Sequence, residues 1–362
     1  MRFVFDVTPL AVPRTGIGNY IVGVLAGAAA ADRGHELVAL ALAERSALSR
    51  IEEALAGISV DLHCIERGQA NLWRRGWEAA SFPRLERVLG RFDALHVTDW
   101  WHPPQAQGVR ATTIYDLVPL HFPQWTGLRA RIGHRKTYRH AAKACDVVFA
   151  ISCYTAEDAL RTLGIERERI RIAKPGVDER FRPDGIAADL GVPYVLSVST
   201  LEPRKNLGTL LRAMDLLGGS LHLAVVGAEG WGHVPALDRP WVRKLGYVRD
   251  EELPALYRGA AAFAFPSRFE GFGMPVVEAM ACGAPVVASA HPSLDEASGD
   301  AALRADPDDA EALASVLELA VSERDELVEK GIRHASRFRW EETGRAFLAG
   351  LEQSAAHTRS MV

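Results

Sequence analysis

Two series of short apolar segments, separated by helical patterns, run through this 362-residue chain. Segments that are apolar throughout are typical of strands in a parallel sheet that helices cover on both faces. The first series predicts a doubly wound α/β domain. Its predicted strands are residues 2–7, 36–42, 94–98, 111–114 and 147–151, and its predicted helices are residues 19–31, 83–89 and 129–144.

A turn-rich segment from Lys174 to Pro183 interrupts the alternation, which then starts again. The second series predicts strands at 194–198, 221–227, 243–247, 261–265 and 285–288, and helices at 207–217, 251–258 and 275–281. We therefore predict one Rossmann-like domain over residues 1–183, a second over residues 184–335, and a C-terminal helix over residues 336–362 that returns to the first domain. Two such domains facing each other bind ligands in the cleft between their sheets.

Composition excludes several classes of protein. The net charge of −4 argues against a nucleic-acid-binding protein. Asp6 interrupts the apolar N-terminus, so no signal peptide is expected, and the longest apolar stretch, residues 21–31, is about half of a membrane span. The four cysteines form no metal-binding spacing and fit a reducing cytoplasm: Cys64, Cys145, Cys153 and Cys282.

The segment FPSRFEGFGMPVVEAMACG, from Phe265 to Gly283, follows a predicted strand and opens a predicted helix. Glycines let backbone N–H groups approach a ligand, and a helix N-terminus favours a phosphate. Seven residues separate Glu270, in the loop, from Glu278, which we expect in the first turn of the helix to accept hydrogen bonds from a ribose diol. The loop residues expected to contact a nucleotide are Gly271, Phe272, Gly273 and Met274.

This Glu-x7-Glu segment resembles the signature of the retaining glycosyltransferases of family 4, which have the GT-B fold of two facing Rossmann-like domains. Shorter matches follow in the order of that family, so the resemblance covers nearly the whole chain, and it extends to bacterial mannosyltransferases of polysaccharide biosynthesis. These matches are Gly16-Ile17-Gly18, Tyr115-Asp116-Leu117, Pro175-Gly176-Val177-Asp178, Leu201-Glu202-Pro203-Arg204-Lys205-Asn206 and Gly246-Tyr247-Val248.

The resemblance implies a nucleotide-diphosphate sugar as donor, but the sequence does not name the sugar or the base. We expect GDP-mannose ahead of UDP-linked hexoses as donor, and a saccharide or lipid-linked saccharide as acceptor. Arg204 and Lys205 would neutralise the departing diphosphate, since guanidinium and ammonium groups both bind phosphate oxygens. Glu270 would position the sugar. Tyr247 and Val248 would flank the base.

Two further matches lie in the first domain. Gly16 and Gly18 form a predicted tight turn before the helix that starts at Asn19, and the resemblance places the Gly18 backbone near the distal phosphate. Asp116 follows a buried strand and is a candidate catalytic residue. Tyr115 stands where the family has a histidine, so Asp116 or His121 is expected to replace that contact.

The isolated aspartates give no metal-binding motif, so we expect transfer without a metal ion or other cofactor. The accepted picture for such enzymes is front-face attack on the sugar, with the leaving phosphate accepting the acceptor proton.

No acidic residue lies between Leu117 and Cys145, whereas the stretch from Arg129 to Lys143 is rich in basic residues. That stretch is either a solvated helix face or a contact with anionic lipid headgroups, which would make a cytoplasmic protein peripheral to the membrane. Three other functions stay open: a nucleotide-sugar epimerase of the same fold, a dehydrogenase, and a non-catalytic nucleotide- or sugar-binding protein. The dehydrogenase is weakened because Ile21 occupies the third glycine position of its fingerprint.

Overall fold

The computed structural model describes residues 1–31, 33–66, 68–69, 72–73, 76–77, 82–98, 102–230, 232 and 235–360. The chain forms two compact units. Unit 1 comprises Met1–Leu120, Gly127–Gly176 and Trp340–Val362, and unit 2 comprises His121–Thr126 and Val177–Arg339.

Unit 1 is built on a parallel seven-stranded sheet with the order β3-β2-β1-β4-β5-β6-β7. Its strands are β1 (Arg2–Asp6), β2 (Glu36–Ala43), β3 (Asp61–Glu66), β4 (Ala94–Val97), β5 (Val109–Ile114), β6 (Val147–Ala150) and β7 (Ile170–Ile172). Its helices are α1 (Gly16–Ala30), α2 (Leu48–Ala54), α3 (Glu86–Leu89), α4 (Val118–His121, whose last residue clusters with unit 2), α5 (Leu128–Ala144), α6 (Cys153–Leu163) and α13 (Trp340–Ser360).

Unit 2 has a parallel six-stranded sheet with the order β10-β9-β8-β11-β12-β13. Its strands are β8 (Tyr194–Val198), β9 (His222–Val226), β10 (Val242–Gly246), β11 (Ala262–Phe265), β12 (Val286–Ser289) and β13 (Ala302–Ala305). Its helices are α7 (Leu207–Leu216), α8 (Leu253–Gly259), α9 (Met274–Ala281), α10 (Asp295–Ser298), α11 (Ala310–Ser322) and α12 (Arg324–Ala335).

The central strands are buried on both faces, which explains their unbroken apolar sequences. All four residues of β6 and all four of β11 are buried. In unit 1, Phe149 of β6 stacks on Phe347 of α13 with ring centroids 3.7 Å apart. The predicted α/β class with two doubly wound parallel sheets is confirmed.

The C-terminal helix was expected over residues 336–362 and to return to the first domain. In the structure α13 spans Trp340–Ser360 and packs within unit 1 against α1. The two helices approach so closely that glycine is required in both. A Cβ on Gly27 would overlap the carbonyl of Trp340, and a Cβ on Gly344 would overlap the backbone of Gly27. Among the described helices, none is both long enough and apolar enough to span a membrane.

We expect Gly27→Ala to destabilise the protein by about 2 kcal/mol, because an added methyl group in a closed contact forces a backbone shift. Helix propensity alone would stabilise the variant by about 1 kcal/mol. A decrease in the free energy of unfolding therefore identifies the steric clash. Urea unfolding measures the difference. Gly208→Ala in α7 is the matched control, since the nearest atom to its Cβ is the Arg212 Nη1 at 3.9 Å. A Gly27→Ala variant as stable as this control would contradict the close helix contact.

Candidate functional site

The strand order of unit 2 reverses between β8 and β11, and ligands of open α/β sheets bind beyond the carboxyl ends of strands at such a point. The chain leaving β8 carries Arg204 and Lys205, in a 3₁₀ turn at Pro203–Lys205. The chain leaving β11 carries Glu270. The structure therefore brings three predicted site residues, from two distant segments, to the expected edge of the sheet.

These residues form a compact ionic cluster that we call the quartet: Glu202, Arg204, Lys205 and Glu270. The guanidinium of Arg204 donates to Glu202 Oε1 from Nη2 at 2.6 Å and from Nε at 3.0 Å, and its Nη1 donates to Glu270 Oε2 at 2.6 Å. The Lys205 ammonium donates to Glu270 Oε1 at 2.6 Å. No quartet side chain is more than 15% exposed.

Local backbone contacts hold the two segments of the quartet side by side. Asn206 has a left-handed backbone, with φ of 59°, a conformation that asparagine tolerates better than most residues. Its side-chain amide donates to the Pro266 carbonyl at 3.1 Å, and the Arg268 N–H donates to the Arg204 carbonyl at 2.9 Å. The loops after β8 and β11 are thus fastened together, which fixes the two cations before any ligand arrives.

Two opposing effects act on the pKa of Glu270: its burial and its two neighbouring cations. Burial by itself raises the pKa of this carboxyl, but Arg204 and Lys205 outweigh burial and lower the pKa to about 2. Burial and the neighbouring Arg204 lower the pKa of Lys205, while its ion pair with Glu270 acts in the opposite direction. With a pKa near 2, Glu270 is ionised at neutral pH and is a weak proton acceptor.

Lys205 keeps donor capacity in this arrangement. Its ammonium has three N–H groups, and within the described residues Glu270 is its one hydrogen-bond acceptor. The Nζ also lies 5.0 Å from the ring centroid of Phe265. A buried cation with unused donors at a ligand-binding edge is suited to an anionic ligand such as phosphate.

Two serines complete the surroundings of Glu270, and neither was expected from the sequence. The Ser267 hydroxyl donates to Glu270 Oε1 at 2.6 Å, and the Glu270 N–H donates to Ser293 Oγ at 3.0 Å. His291 Nδ1 lies 2.8 Å from the same Oγ. Glu202, which had no assigned role, is the second counter-ion of Arg204. Serine and glutamate are too common near turns for the sequence to single these residues out.

The loop from Gly271 to Met274 leads into α9. Gly273 has a φ of 100°, and a Cβ there would lie 2.5 Å from Leu294 Cδ2, so both conformation and space require glycine. Pro275 is the second helical residue rather than the first, because α9 begins at Met274. The Phe272 side chain is buried against Phe338, with ring centroids 5.3 Å apart, so only its backbone is available to a ligand.

Glu278 is the fifth residue of α9 and lies in the second turn, so its predicted place in the first turn was wrong. The helix has no acidic residue in its first turn, so Glu278 lies too far along the helix to be stabilised by the helix dipole. The carboxylate is 8% exposed and accepts a hydrogen bond from the Tyr257 hydroxyl at 3.3 Å. Burial raises its pKa to about 7; the Tyr257 hydrogen bond opposes this, and Asp250 and Asp178 add to it.

Because the pKa of Glu278 is raised, ionising its carboxyl at high pH lowers the free energy of unfolding. The stability that it contributes is fully present below about 4.5 and is lost as pH rises through about 7. We therefore expect Glu278→Gln to be more stable than the unmodified protein by about 3 kcal/mol at pH 8 and similar to it near pH 4.5. Urea unfolding at both pH values tests this, with Glu326→Gln, an exposed residue, as control. Parallel curves for Glu278→Gln and the unmodified protein would contradict the expectation.

Tyr247 and Val248 follow β10, at the edge of the unit 2 sheet, and the Tyr247 side chain is 56% exposed. They follow a strand two places away from β8, whereas the quartet lies in the chain segments that follow β8 and β11. Both positions are at the carboxyl edge of the same sheet.

Gly16, Gly18 and Asp116 belong to unit 1 and are described there. The predicted turn before Asn19 was wrong, because α1 begins at Gly16 and both glycines lie in its first turn. The helix therefore presents the N–H groups of its first turn at this position. A Cβ at Gly16 would meet no atom within 4 Å, so the space around this helix start is open.

Asp116 lines a cavity of about 770 Å³ in unit 1. The cavity lies at the carboxyl ends of β1, β2, β4 and β5, beside the reversal of strand order between β1 and β4. The Asp116 carboxylate accepts a hydrogen bond from the Val118 N–H at 3.0 Å.

Tyr115 also lines this cavity, at the position where the resemblance leads to a histidine. Its ring packs edge-on against Tyr20, and burial followed by repulsion from Asp6 raises its pKa well above the usual value. The Tyr115 hydroxyl and the Thr137 hydroxyl are buried and have no hydrogen-bond partner among the described residues. His121 is exposed at the end of α4, with its ring 5.8 Å from that of Phe269.

The described part of the chain contains no group of three or more His, Cys, Asp or Glu side chains that could hold a metal ion.

Two family models match the chain. Residues 14–181 match Glycosyltransferase Family 4, and residues 178–338 match Glycosyl transferases group 1. The two matches overlap at residues 178–181, within the turn-rich segment from Lys174 to Pro183, and together extend from residue 14 to residue 338.

Curated relatives are similar over the full chain or over part of it. O-antigen chain mannosyltransferase B of Escherichia coli is 27% identical over 94% of this chain and 97% of its own length. The serotype-specific mannosyltransferase WbdA of Escherichia coli is longer, and it is 29% identical over a region that covers 59% of this chain and 30% of WbdA. D-inositol 3-phosphate glycosyltransferase 2 of Catenulispora acidiphila is 34% identical over 56% of this chain and 55% of its own length.

Solved structures share the fold. HepE of Anabaena, solved in complex with UDP and glucose, aligns with a TM-score of 0.70 and 16% identity over 97% of this chain and 99% of its own. Sucrose-phosphate synthase of Thermosynechococcus elongatus aligns with a TM-score of 0.70 and 19% identity over 99% and 98%. The resemblance carried by the Glu270–Glu278 segment is confirmed by these matches: the chain belongs to the glycosyltransferases, and it has their GT-B fold of two Rossmann-like domains.

Proposed function

We propose that this glycosyltransferase moves mannose from GDP-mannose to a saccharide or lipid-linked saccharide, with retention of anomeric configuration and without a metal ion. The observation that carries the proposal is the quartet, which fixes two buried cations at the point where strand order reverses. The donor diphosphate would bind there, and the nucleoside would extend toward Glu278, Tyr247 and Val248.

The quartet suits a departing diphosphate. Negative charge grows on the leaving oxygen as the bond to the anomeric carbon breaks, and preorganised cations stabilise that charge without reorganising. Arg204 and Lys205 are held by carboxylates at 2.6 Å, so their orientation is set in advance. Two fixed cations supply the charge compensation that a metal ion gives in other transferases. N–H groups at the start of α9 would add to it.

Glu270 acts in this proposal by positioning the cations and the sugar. Both of its oxygens are already engaged, Oε1 by Lys205 and Ser267 and Oε2 by Arg204. A carboxylate held in this way, with a pKa of about 2, is a weak nucleophile and a weak base. The acceptor hydroxyl would instead attack from the face that the diphosphate leaves. The new bond from acceptor oxygen to anomeric carbon forms as the old one breaks, and the hydroxyl proton passes to the leaving phosphate oxygen.

The choice of mannose rests on relatives, and GDP is proposed as the nucleotide that carries it. O-antigen chain mannosyltransferase B aligns over nearly its whole length, and the O-antigen mannosyltransferase RfbU of Salmonella typhimurium is 27% identical over 67% of this chain and 69% of its own.

The acceptor would bind in the cavity of unit 1. Two buried hydroxyls without partners, those of Tyr115 and Thr137, line it together with the Asp116 carboxylate. Unsatisfied buried hydroxyls cost stability unless a ligand supplies partners, and sugar hydroxyls both donate and accept hydrogen bonds. Asp116 would then orient the acceptor hydroxyl, in place of the histidine that the family usually carries one position earlier.

The other functions considered for the chain have less support. An epimerase of this fold needs an acid or base at the sugar, and Glu270 has neither property near neutral pH. A non-catalytic protein would bind the nucleotide through the same quartet, and turnover of the donor separates it from a transferase.

The proposal is tested by incubating the protein with GDP-mannose and mannose-terminated oligosaccharides in excess EDTA, and following products by NMR. We expect an α-linked mannoside from the α-linked donor, at a rate unchanged by EDTA. A β-linked product would contradict retention, and loss of activity in EDTA that Mg²⁺ or Mn²⁺ restores would contradict metal independence. Turnover with UDP-glucose alone would replace the donor assignment.

A further inference from the structure

The chain that leaves β12 contacts the loop that carries Glu270. Strand β12 ends at Ser289, and His291 and Ser293 lie at the 3₁₀ turn that follows it. The Ser293 side chain is 2% exposed, and its Oγ lies 3.0 Å from the Glu270 nitrogen and 2.8 Å from His291 Nδ1. These contacts connect a third chain segment to the quartet, in addition to the two segments that follow β8 and β11.

The direction of each hydrogen bond in this series follows from the chemistry of the groups. A backbone N–H can only donate, and the Ser293 N–H lies 3.2 Å from His291 Nδ1, so Nδ1 is an acceptor and carries no proton. The Ser293 hydroxyl therefore donates to Nδ1, while its oxygen accepts from the Glu270 N–H. The imidazole is neutral, with its proton on Nε2. A protonated His291 would be a donor at both nitrogens and could not hold Ser293 in this arrangement.

The ring of His291 also packs on the loop. Its centroid lies 5.4 Å from that of Phe269, the residue before Glu270, and the Phe269 side chain is 4% exposed. Two charged groups face the imidazole, Asp295 of α10 and Arg304 of β13. Burial lowers the pKa of His291, Asp295 opposes this effect, and Arg304 adds to it. The net lowering favours the neutral imidazole that the hydrogen bonds require.

We propose that Ser293 and neutral His291 fix the backbone of Glu270 and thereby act as positioning residues for sugar transfer. Glu270 in turn holds the Arg204 guanidinium and the Lys205 ammonium, each at 2.6 Å, so a shift of its backbone moves both cations. Cations stabilise a departing diphosphate only when they are already in place, and a displacement of about 1 Å costs up to about 100-fold in rate. This inference rests on the proposed function, in which the quartet binds the donor diphosphate.

A purely structural role is the alternative. His291 caps the 3₁₀ turn Pro292–Leu294 by accepting a hydrogen bond from the Ser293 N–H. A cap alone stabilises the fold and leaves the rate of the folded protein unchanged. Ser293→Ala separates the two roles, because it keeps the backbone N–H that the cap uses and removes the hydroxyl that bonds to Glu270.

Amide hydrogen exchange, followed by NMR, tests the link to Glu270 without reference to activity. The Glu270 N–H should exchange about tenfold faster in Ser293→Ala than in the unmodified protein, because it loses its buried acceptor. Ser298→Ala is the matched control, since Ser298 is also buried in unit 2 and its hydroxyl has no hydrogen-bond partner among the described residues. At pH 8, NMR should show His291 with its proton on Nε2. Unchanged exchange in Ser293→Ala, or a His291 proton on Nδ1, would overturn the proposal.

Steady-state kinetics with the nucleotide sugar tests the consequence for transfer. Ser293→Ala and His291→Leu should lower kcat about 10- to 100-fold with a smaller change in KM for the donor, since misplaced cations matter most in the transition state. His291→Asn should keep kcat within about threefold, because the asparagine Oδ1 takes the place of Nδ1 and accepts the same hydrogen bonds. His291→Gln carries its amide one bond farther from the backbone and should lose as much as His291→Leu.

The pH profile adds a signature that a cap does not give. In the unmodified protein kcat should fall as pH decreases through the lowered pKa of His291, below 6.5, and His291→Asn should lack this fall. Glu278 titrates nearby, with a pKa of about 7, but both proteins keep it, so the difference belongs to His291. His222→Leu removes a half-buried imidazole at the start of β9 and, like Ser298→Ala, should leave kcat unchanged.

Thermal melting shows which of these variants are folded at the assay temperature. A folded Ser293→Ala variant with the kcat of Ser298→Ala would overturn the proposal, and so would identical pH profiles for His291→Asn and the unmodified protein. An unmodified protein that transfers no sugar would contradict the proposed function instead, and the exchange of the Glu270 N–H would still decide whether Ser293 and His291 hold this loop.

Discussion

Glu270→Ala should destabilise the protein by about 3–5 kcal/mol at neutral pH, because it leaves buried Lys205 without its counter-ion and Arg204 with one instead of two. Glu270→Gln should cost less, since an amide oxygen still accepts one of these hydrogen bonds. Urea unfolding at pH 7 measures both. Glu329→Ala, which removes an exposed i,i+4 ion pair with Arg333, is the control and should change stability by less than about 0.5 kcal/mol.

The pH dependence of the Glu270 effect has a definite sign. Its lowered pKa means that its contribution is present above about 4.5 and is lost as pH falls toward about 2. The difference between the unmodified protein and Glu270→Gln should therefore shrink on acidification through that range. A difference that stays constant from pH 7 to pH 3, or a Glu270→Ala variant as stable as Glu329→Ala, would contradict the strength of the ion pairs.

Lys205→Ala should lower kcat for sugar transfer about 100- to 1000-fold, because it removes a preorganised cation from the place where charge grows on the leaving diphosphate. KM for the donor should rise less, since that charge is larger in the transition state than in the bound substrate. Steady-state kinetics with the nucleotide sugar separates the two parameters.

Lys330→Ala is the matched control, since Lys330 is also paired with a carboxylate in unit 2 but lies on an exposed helix surface. It should leave both parameters unchanged. Thermal melting shows whether Lys205→Ala stays folded at the assay temperature. A folded Lys205→Ala variant with kcat within about threefold of the unmodified protein would place the diphosphate elsewhere.

The sequence predicts the central strands well and the edge strands poorly. Residues 147–151 are apolar because β6 is buried on both faces, and this pattern is unambiguous. Strands β3, β7 and β13 were not predicted. β3 alternates polar and apolar residues and has a single buried position, and β7 has only three residues. All three lie at sheet edges. Fewer of their residues are buried there, so their sequences need not be apolar throughout.

Helix α6 was also missed, although its sequence carries both end signals. The Ser152 hydroxyl accepts a hydrogen bond from the Thr155 N–H at 2.9 Å as an N-terminal cap, and Gly164 ends the helix with a left-handed backbone. Conversely, the glycines at 16 and 18 suggested a turn where the structure has a helix start. A glycine ends a helix where its backbone has a positive φ, as at Gly164, and Gly16 and Gly18 do not have one.

The site residues were identified by type, but their mutual contacts were not. Lys205 and Glu270 are 65 positions apart, and only the parallel order of β8 and β11 brings them to 2.6 Å. The sequence alone assigned each side chain directly to a ligand. The structure shows that the cations are oriented by carboxylates first, which gives Glu202 a role and makes Glu270 a positioning residue as well as a sugar contact.

Thermal unfolding in the presence of candidate ligands shows whether Lys205 and the rest of the quartet bind the diphosphate of a nucleotide sugar. The protein, Lys205→Ala and Lys330→Ala are melted in excess EDTA with GDP-mannose, UDP-glucose, UDP-N-acetylglucosamine or NAD. A ligand at about 100 times its dissociation constant stabilises by about 2.7 kcal/mol, which a melting curve resolves. We expect a shift with GDP-mannose that Lys330→Ala keeps and Lys205→Ala loses. A shift with NAD alone, or a sugar-nucleotide shift that survives Lys205→Ala undiminished, would contradict it.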